Sequence, residues 1–500
     1  MATRLGPRTA ITLLAMALIT GIAAFTLSGC GPEQVPVKPE LVPAGEHDPA
    51  VWGEQFPEQY EQWLATRNER PAGKSAYKRG FDGGVMFDKL SEYPFMPLIF
   101  NGWGFGIDYN EPRGHYYMLI DQSEADPARV KSGGACLTCK SPYVQDLYET
   151  DKDALFAATY DEAVGMIPEE HQELGATCID CHDTVDLSLQ TRRWTAESAL
   201  QEIGLDPEGL TLNQTRLMVC GQCHCTYSVM KADGKSVDVD FPWEGGEWGA
   251  ITVEDIINNL ETNPARLEWT QSVTGMRLGF IRHPDVEYFT AAGSPHANAG
   301  VTCSDCHMPD TTVGTKIVSD HNLMSPLKQD MKPCARCHTQ TPEEMRAKVI
   351  AIQDASLTRF TEAGYRVATA AKLIEIANTS LETSSTVIKP RFDEAAGHYR
   401  QALYRLIYMG AENSVGFHNP VEGERILTDS MREADTAEKL LRELLAAEGV
   451  SVPKTVPLEL EKYTENRGVK SLDFVREQYI ADPTGAAEQK WAHSLDALLK

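Results

Sequence analysis

The 500-residue chain is short of positive charge: 46 lysines and arginines stand against 72 aspartates and glutamates, a formal net charge of −26. Nucleic acid is excluded as a partner, because its phosphates would be repelled. An acidic exterior that can dock a basic partner is left. Long apolar runs are missing too. Beyond the first thirty residues no window reaches membrane-spanning length, although 42% of the residues are hydrophobic, enough for a large core without staples. Aromatic residues are sparse at 8%, and there are only 13 histidines. Cysteine, by contrast, is plentiful for a chain of this kind, with 12.

The N-terminus is the one strongly apolar segment. Arg4 and Arg8 precede the run Ala10 to Phe25, which is short for a span and suited to an export signal. Leu27-Ser28-Gly29-Cys30 follows and resembles a lipobox, in which the cysteine is cut free and acylated. Residues 1–29 are therefore expected to be a lipoprotein signal peptide, with lipidation at Cys30 and a Pro-rich tether over 30–45. The mature protein is expected on the periplasmic side, anchored to a membrane.

With Cys30 set aside, ten cysteines form five pairs of the form Cys-x-x-Cys: Cys136/Cys139, Cys178/Cys181, Cys220/Cys223, Cys303/Cys306 and Cys334/Cys337. Cys225 is left over and reads as a small buried side chain. Zinc ribbons use such pairs but do not demand a histidine next. Thioredoxin-like sites leave the next residue free, and five in one chain is implausible. Four pairs continue with His182, His224, His307 and His338. That is the signature of covalent c-type haem, with two thioethers clamping the porphyrin and the adjacent imidazole ligating iron.

The fifth pair, Cys136/Cys139, continues with Lys140. A disulfide in an oxidising compartment is the competing reading. If haem is attached there, a lysine amine is the proximal ligand, and iron must displace its proton in a site that disfavours the ammonium form. Changing one proximal ligand of five singles out a haem that does chemistry while the others carry electrons. Four closed haems need four distal ligands. His115, His283, His296, His321 and His418 sit in punctuated loops, which supplies four and one spare. His47, His171, His398 and His493 lie in polar settings and are expected at the surface.

From Arg113 to Pro420, in the order of the five motifs with the lysine variant first, the chain resembles the ammonia-forming cytochrome c nitrite reductases, whose active haem carries Cys-x-x-Cys-Lys. The resemblance implies five covalently bound c-type haems, Lys140 as proximal ligand of the active one, and His115, His321, His418 and His296 as distal partners of His224, His182, His307 and His338. It implies a distal pocket of Arg129, Tyr227 and His283, with Arg113 as the alternative arginine. Nitrite would be reduced to ammonium there. Electrons would come from a membrane multihaem quinol dehydrogenase or a soluble cytochrome. A closed pentahaem electron carrier, or a reductase acting mainly on sulfite or hydroxylamine, is the alternative.

One departure is expected to matter. Family members hold calcium with a glutamate before the tyrosine and a Lys-x-Gln before the histidine; here those positions are Thr226, Phe280 and Arg282. Calcium wants carboxylate oxygens, so no calcium is expected, with Arg282 supplying the charge. The fold class is mainly α: a loop-rich multihaem core over 46–340, then long helices within 341–500 as part of the same domain. Those helices start at the capping signature Thr341-Pro342-Glu343-Glu344 and run to about Ala377, from Arg391 to Ala411 and from Val421 to Glu448. The resemblance makes these helices the interface of a homodimer.

Overall fold

The computed structural model describes residues 42–69 and 88–464. The export segment, Cys30 and His493 lie outside them. Up to about residue 340 the chain makes short helices and single helical turns. Three helices there reach ten residues or more: α1 (Val144–Ala157), α2 (Leu212–Gly221) and α3 (Val253–Thr262). Three separate antiparallel hairpins punctuate this part: β1 (Ser228–Ala232) with β2 (Lys235–Asp240), β3 (Trp269–Thr270) with β4 (Arg277–Leu278), and β5 (Asp310–Val313) with β6 (Lys316–Ser319). The first turns at Asp233-Gly234, with φ of 49° and 79°. Positive φ at both central residues matches the right-handed twist of a two-residue hairpin.

The C-terminal part is three long helices: α4 (Pro342–Ser380), α5 (Lys389–Ala411) and α6 (Pro420–Ala447). The start of α4 is fixed by a reciprocal cap. Glu344 N–H donates to the Thr341 hydroxyl at 3.2 Å, Thr341 N–H donates to the Glu344 carboxylate at 2.9 Å, and Pro342 has no N–H to satisfy. From there Met345, Val349, Gln353, Leu357, Phe360, Gly364, Val367, Ala371 and Ile374 are buried in steps of three and four, one face of a helix about 58 Å long. Helix α5 is buried without interruption from Ala402 to Met409, as a helix enclosed on all sides must be. Phe95 crosses α4 at Gly364, where a Cβ would come within 2.3 Å of the ring.

This is the expected mainly α architecture, with a loop-rich front half and long helices behind. Among the described residues no helix is long and apolar enough to cross a membrane. Two surface expectations fail. His47 is 9% exposed, stacks on Tyr143 at 4.0 Å and meets Asp146 at 2.8 Å. His171 is half-buried and shares a 2.5 Å hydrogen bond with the Tyr143 hydroxyl. A polar neighbourhood in sequence does not disclose that another polar segment folds over it. His398 is half-buried against Glu433 at 2.6 Å.

Candidate haem sites and distal pocket

Each Cys-x-x-Cys segment winds into one tight turn. His182, His224 and His338 each donate their backbone N–H to the carbonyl of the first cysteine, Cys178, Cys220 and Cys334, at 2.9 Å. The fourth histidine motif forms the short helix Cys303–His307. The lysine motif differs in backbone as well as in side chain: Lys140 N–H donates to Leu137 at 2.8 Å, one residue later than in the others. None of the paired cysteines is disulfide-bonded among the described residues, those of the lysine motif included.

The imidazoles are aimed by bonds at Nδ1. His182 Nδ1 meets the Leu187 carbonyl at 2.9 Å, His307 Nδ1 the Met324 carbonyl at 3.2 Å, and His224 Nδ1 the Asp285 carboxylate at 2.9 Å. An Nδ1–H engaged in this way leaves Nε2 with its lone pair for a metal. Opposite them stand the loop histidines. Ring centroids are 6.3 Å apart in His182–His321, in His307–His418 and in His296–His338. Three of the four anticipated pairs are therefore brought together, their ring planes inclined by 32°, 85° and 78°. Against His224, the ring of His283 lies 6.0 Å away, inclined by 63°. His115 sits on the turn His115–Tyr117, whose backbone closes on Gly175: a Cβ there would lie 2.0 Å from the His115 carbonyl.

The attachment cysteines follow one another through the molecule. Cys139 touches Cys223, Cys220 touches Cys303, and Cys306 interacts with Cys334 and Cys337. Cys181 interacts with Cys220 and Cys223. The motifs thus run first, third, fourth, fifth, with the second branching off the third. Burial pushes the Cys178 thiol up to about 12 and Cys306 up to about 11. Cys225 is fully buried. Paired buried thiols, an adjacent aimed imidazole and a second imidazole across a gap fit covalent haem.

Beside the lysine motif lies the pocket. Arg129 is half-buried; its Nη1 donates to the Asp108 carbonyl at 2.6 Å, its plane covers Phe105 at 3.7 Å, and its enclosed Nε has no acceptor among the described residues. Among the described residues it makes no ion pair, and burial pushes its pKa down. A guanidinium nonetheless stays charged. It interacts electrostatically with Tyr227 and Cys136. Arg113 is already spent, held by Asp121 at 2.5 Å and Glu124 at 2.9 Å and stacked on Tyr117. Tyr227 precedes β1, and burial raises its hydroxyl well above the usual tyrosine range. Arg282 lies 4.9 Å from the Tyr227 ring and is clamped by buried Glu268 through two bonds of 2.7 and 2.6 Å. Phe280 stacks on Phe105 at 4.7 Å, so the two arginines bracket an aromatic wall.

His283 is half-buried at φ 47°, in the left-handed region that histidine visits more readily than most residues. Burial, then the His224 charge, lower its pKa to about 3, so the ring is neutral. Its tautomer follows from a neighbour. Asn413 Nδ2 donates to the Asp285 carboxylate at 2.6 Å, which identifies that atom as nitrogen, and lies 3.4 Å from His283 Nδ1. Nδ1 is then an acceptor and Nε2 carries the hydrogen. Lys140 is half-buried, interacts with His283, and among the described residues its amine has no hydrogen bond or ion pair. Asn413, Asp285, Glu268 and Phe105 escaped sequence reasoning; no spacing links them to a cysteine motif.

Comparison with known proteins places this arrangement. The cytochrome c552 family model matches residues 48–495. Cytochrome c-552 of Bacteroides fragilis is 30% identical over 444 residues, covering 86% of this chain and 84% of its own. That of Bacteroides thetaiotaomicron is 29% identical over 423 residues, covering 81% and 79%. In fold, the chain is similar to the catalytic subunit of cytochrome c nitrite reductase from Desulfovibrio desulfuricans, whose description names two calcium sites. The TM-score is 0.73 at 24% identity, over 82% of this chain and 89% of that one. With motifs, aimed imidazoles and sequence in agreement, the chain carries covalently bound c-type haem and belongs to the cytochrome c552 family.

Proposed function

We infer that the protein reduces nitrite to ammonium, with the haem on Cys136 and Cys139, ligated from below by Lys140, as the reacting one. Nitrite must gain six electrons and eight protons, losing both oxygens as water. Bound haems would supply the iron that takes the anion and the single electrons that reduce it. The chain's own residues do the rest. Arg129 carries the reading: among the described residues it feels the Asp108 carboxylate only through space and forms no ion pair, and its enclosed Nε–H, without an acceptor there, is a donor for an oxygen of an arriving anion. His283 offers Nε2–H to a second oxygen and can pass a proton from that atom. Tyr227 adds a hydroxyl donor that burial keeps protonated. Lys140, with no hydrogen bond or ion pair at its amine among the described residues, can give up its proton to act as a ligand.

His182 with His321, His224 with His115, His307 with His418 and His338 with His296 would close the other four irons. No calcium is needed, because Arg282 holds a fixed charge beside Tyr227 and Thr226 offers no carboxylate. An exported chain anchored through Cys30, paired as a homodimer through α4–α6, would take electrons at the membrane face from a quinol dehydrogenase or a soluble cytochrome. The deciding experiment is spectroscopic. The ferric holoprotein is expected to show a high-spin signal that shifts with nitrite or cyanide, and Lys140→Ala to lose ammonium formed per electron supplied. Iron that is six-coordinate throughout and indifferent to small anions would leave an electron carrier. Competing turnover of sulfite and hydroxylamine tells which anion is preferred.

A further inference from the structure

Arg193 belongs to none of the motifs, yet it joins three of them. Its side chain is 2% exposed. Nη2 donates to the Asp180 carboxylate at 2.6 Å and to the Ser141 carbonyl at 2.9 Å, and the backbone N–H donates to the Gln222 side-chain oxygen at 3.2 Å. Asp180 is an interior residue of Cys178–Cys181, Gln222 of Cys220–Cys223, and Ser141 follows Lys140. Gln222 closes the knot by donating Nε2 to the Asp180 carbonyl at 2.7 Å. Arg193 therefore stands where the second, third and lysine motifs meet, the branch point of the cysteine chain.

The ion pair at this branch point has a direction. Asp180 acts on Cys178 and Cys181 of its own motif, and on Cys223 of the third motif less than Arg193 does. Arg193 acts on Cys223, which it also meets through a side-chain hydrogen bond, and on Cys139, and among the described residues its buried Nε and Nη1 have no nitrogen or oxygen acceptor. A buried cation favours the form of a nearby redox group that holds one more electron, and a buried anion disfavours it. Screening is weak at this depth.

We propose that Arg193 and Asp180 form an oriented charge pair that sets the relative reduction potentials at the branch. It raises those of the haems on Cys220/Cys223 and Cys136/Cys139 relative to that on Cys178/Cys181. Arg193 is then a positioning residue, acting on Lys140 through Ser141 and on the reaction through potential. The role of Lys140 rests on the functional reading above; the charge pair itself does not.

Potentiometric titration of the full-length holoprotein, followed by optical and EPR spectra, tests this. Arg193→Gln is expected to lower the midpoint of the high-spin signal and of at least one low-spin haem. Asp180→Asn is expected to raise midpoints, and the double variant to return towards the starting values. A purely structural knot predicts no opposition of sign: shifts in the same direction, or none with haem content intact, overturn the proposal. If Arg193→Gln fails to accumulate loaded protein, Asp180→Asn decides alone, an upward shift supporting the pair and a downward or absent one overturning it. Absence of any high-spin signal with opposed shifts in the low-spin haems would sink the reading of Lys140 and leave the charge pair standing.

Discussion

A guanidinium laid half-buried on an aromatic ring, its one oxygen acceptor among the described residues a backbone carbonyl, is an expensive group to fold around unless something negative visits it. Arg129 is that group, and its substitution should be felt by substrate rather than by the fold. Arg129→Gln is expected to lower kcat/KM for nitrite by about 10²-fold or more, with haem content unchanged, as steady-state assays would read. Glu287 poses the opposite case. Its Oε1 accepts from Thr226 N–H at 2.8 Å and Trp243 Nε1 at 2.9 Å, while Oε2 has no partner. Burial pushes its carboxyl up to about 8 from 4.5. The folded state therefore keeps a proton that the unfolded chain gives up above about 4.5. The stability this adds is full below that pH and disappears as pH rises through about 8. Thermal melting between pH 5 and 9 should show the decline, and Glu287→Gln should flatten it.

At the scale of elements, the close crossing of α4 by Phe95 is the most exposed to test. Alanine is the better helix former by about 1 kcal/mol, so Gly364→Ala would stabilise an isolated helix. Here the added methyl meets Phe95 ring atoms at 2.3 to 2.6 Å, and overpacking of this kind costs about 1–3 kcal/mol. Denaturant unfolding should show net destabilisation, relieved when Phe95→Leu is combined with it. The helices themselves were legible in the sequence because Thr341, Pro342 and Glu344 declare a start and the apolar stripe keeps its period. The hairpins were not. Two-residue strands such as β3 and β4 carry no periodicity to read. The cysteine motifs were equally plain, since attachment chemistry fixes their spacing. The partners that aim them, Asp285, Asn413 and Glu268, come from tertiary folding alone. Asn413 reaches Asp285 across 128 residues, and no local pattern marks such a contact.

For the whole molecule, the absence of calcium is the sharpest expectation that composition alone could not give. With Arg282 locked on Glu268 and Thr226 in place of a carboxylate beside Tyr227, the corner is expected to carry its positive charge on a side chain. Metal analysis of the purified holoprotein should find five irons per chain and no stoichiometric calcium, and a chelator should leave nitrite turnover unchanged. A single tightly held calcium would overturn this.

The meeting of cysteines from distant motifs has a consequence for how such a protein is made. Cys139 lies against Cys223 and Cys220 against Cys303, all of them partly buried, in contacts that span more than eighty residues of chain. A maturation enzyme cannot reach into those clefts once the helices have closed behind them. Thioether formation has to precede collapse, segment by segment on an open polypeptide. Production that outruns porphyrin supply would then yield misassembled material which later addition of the pigment cannot rescue.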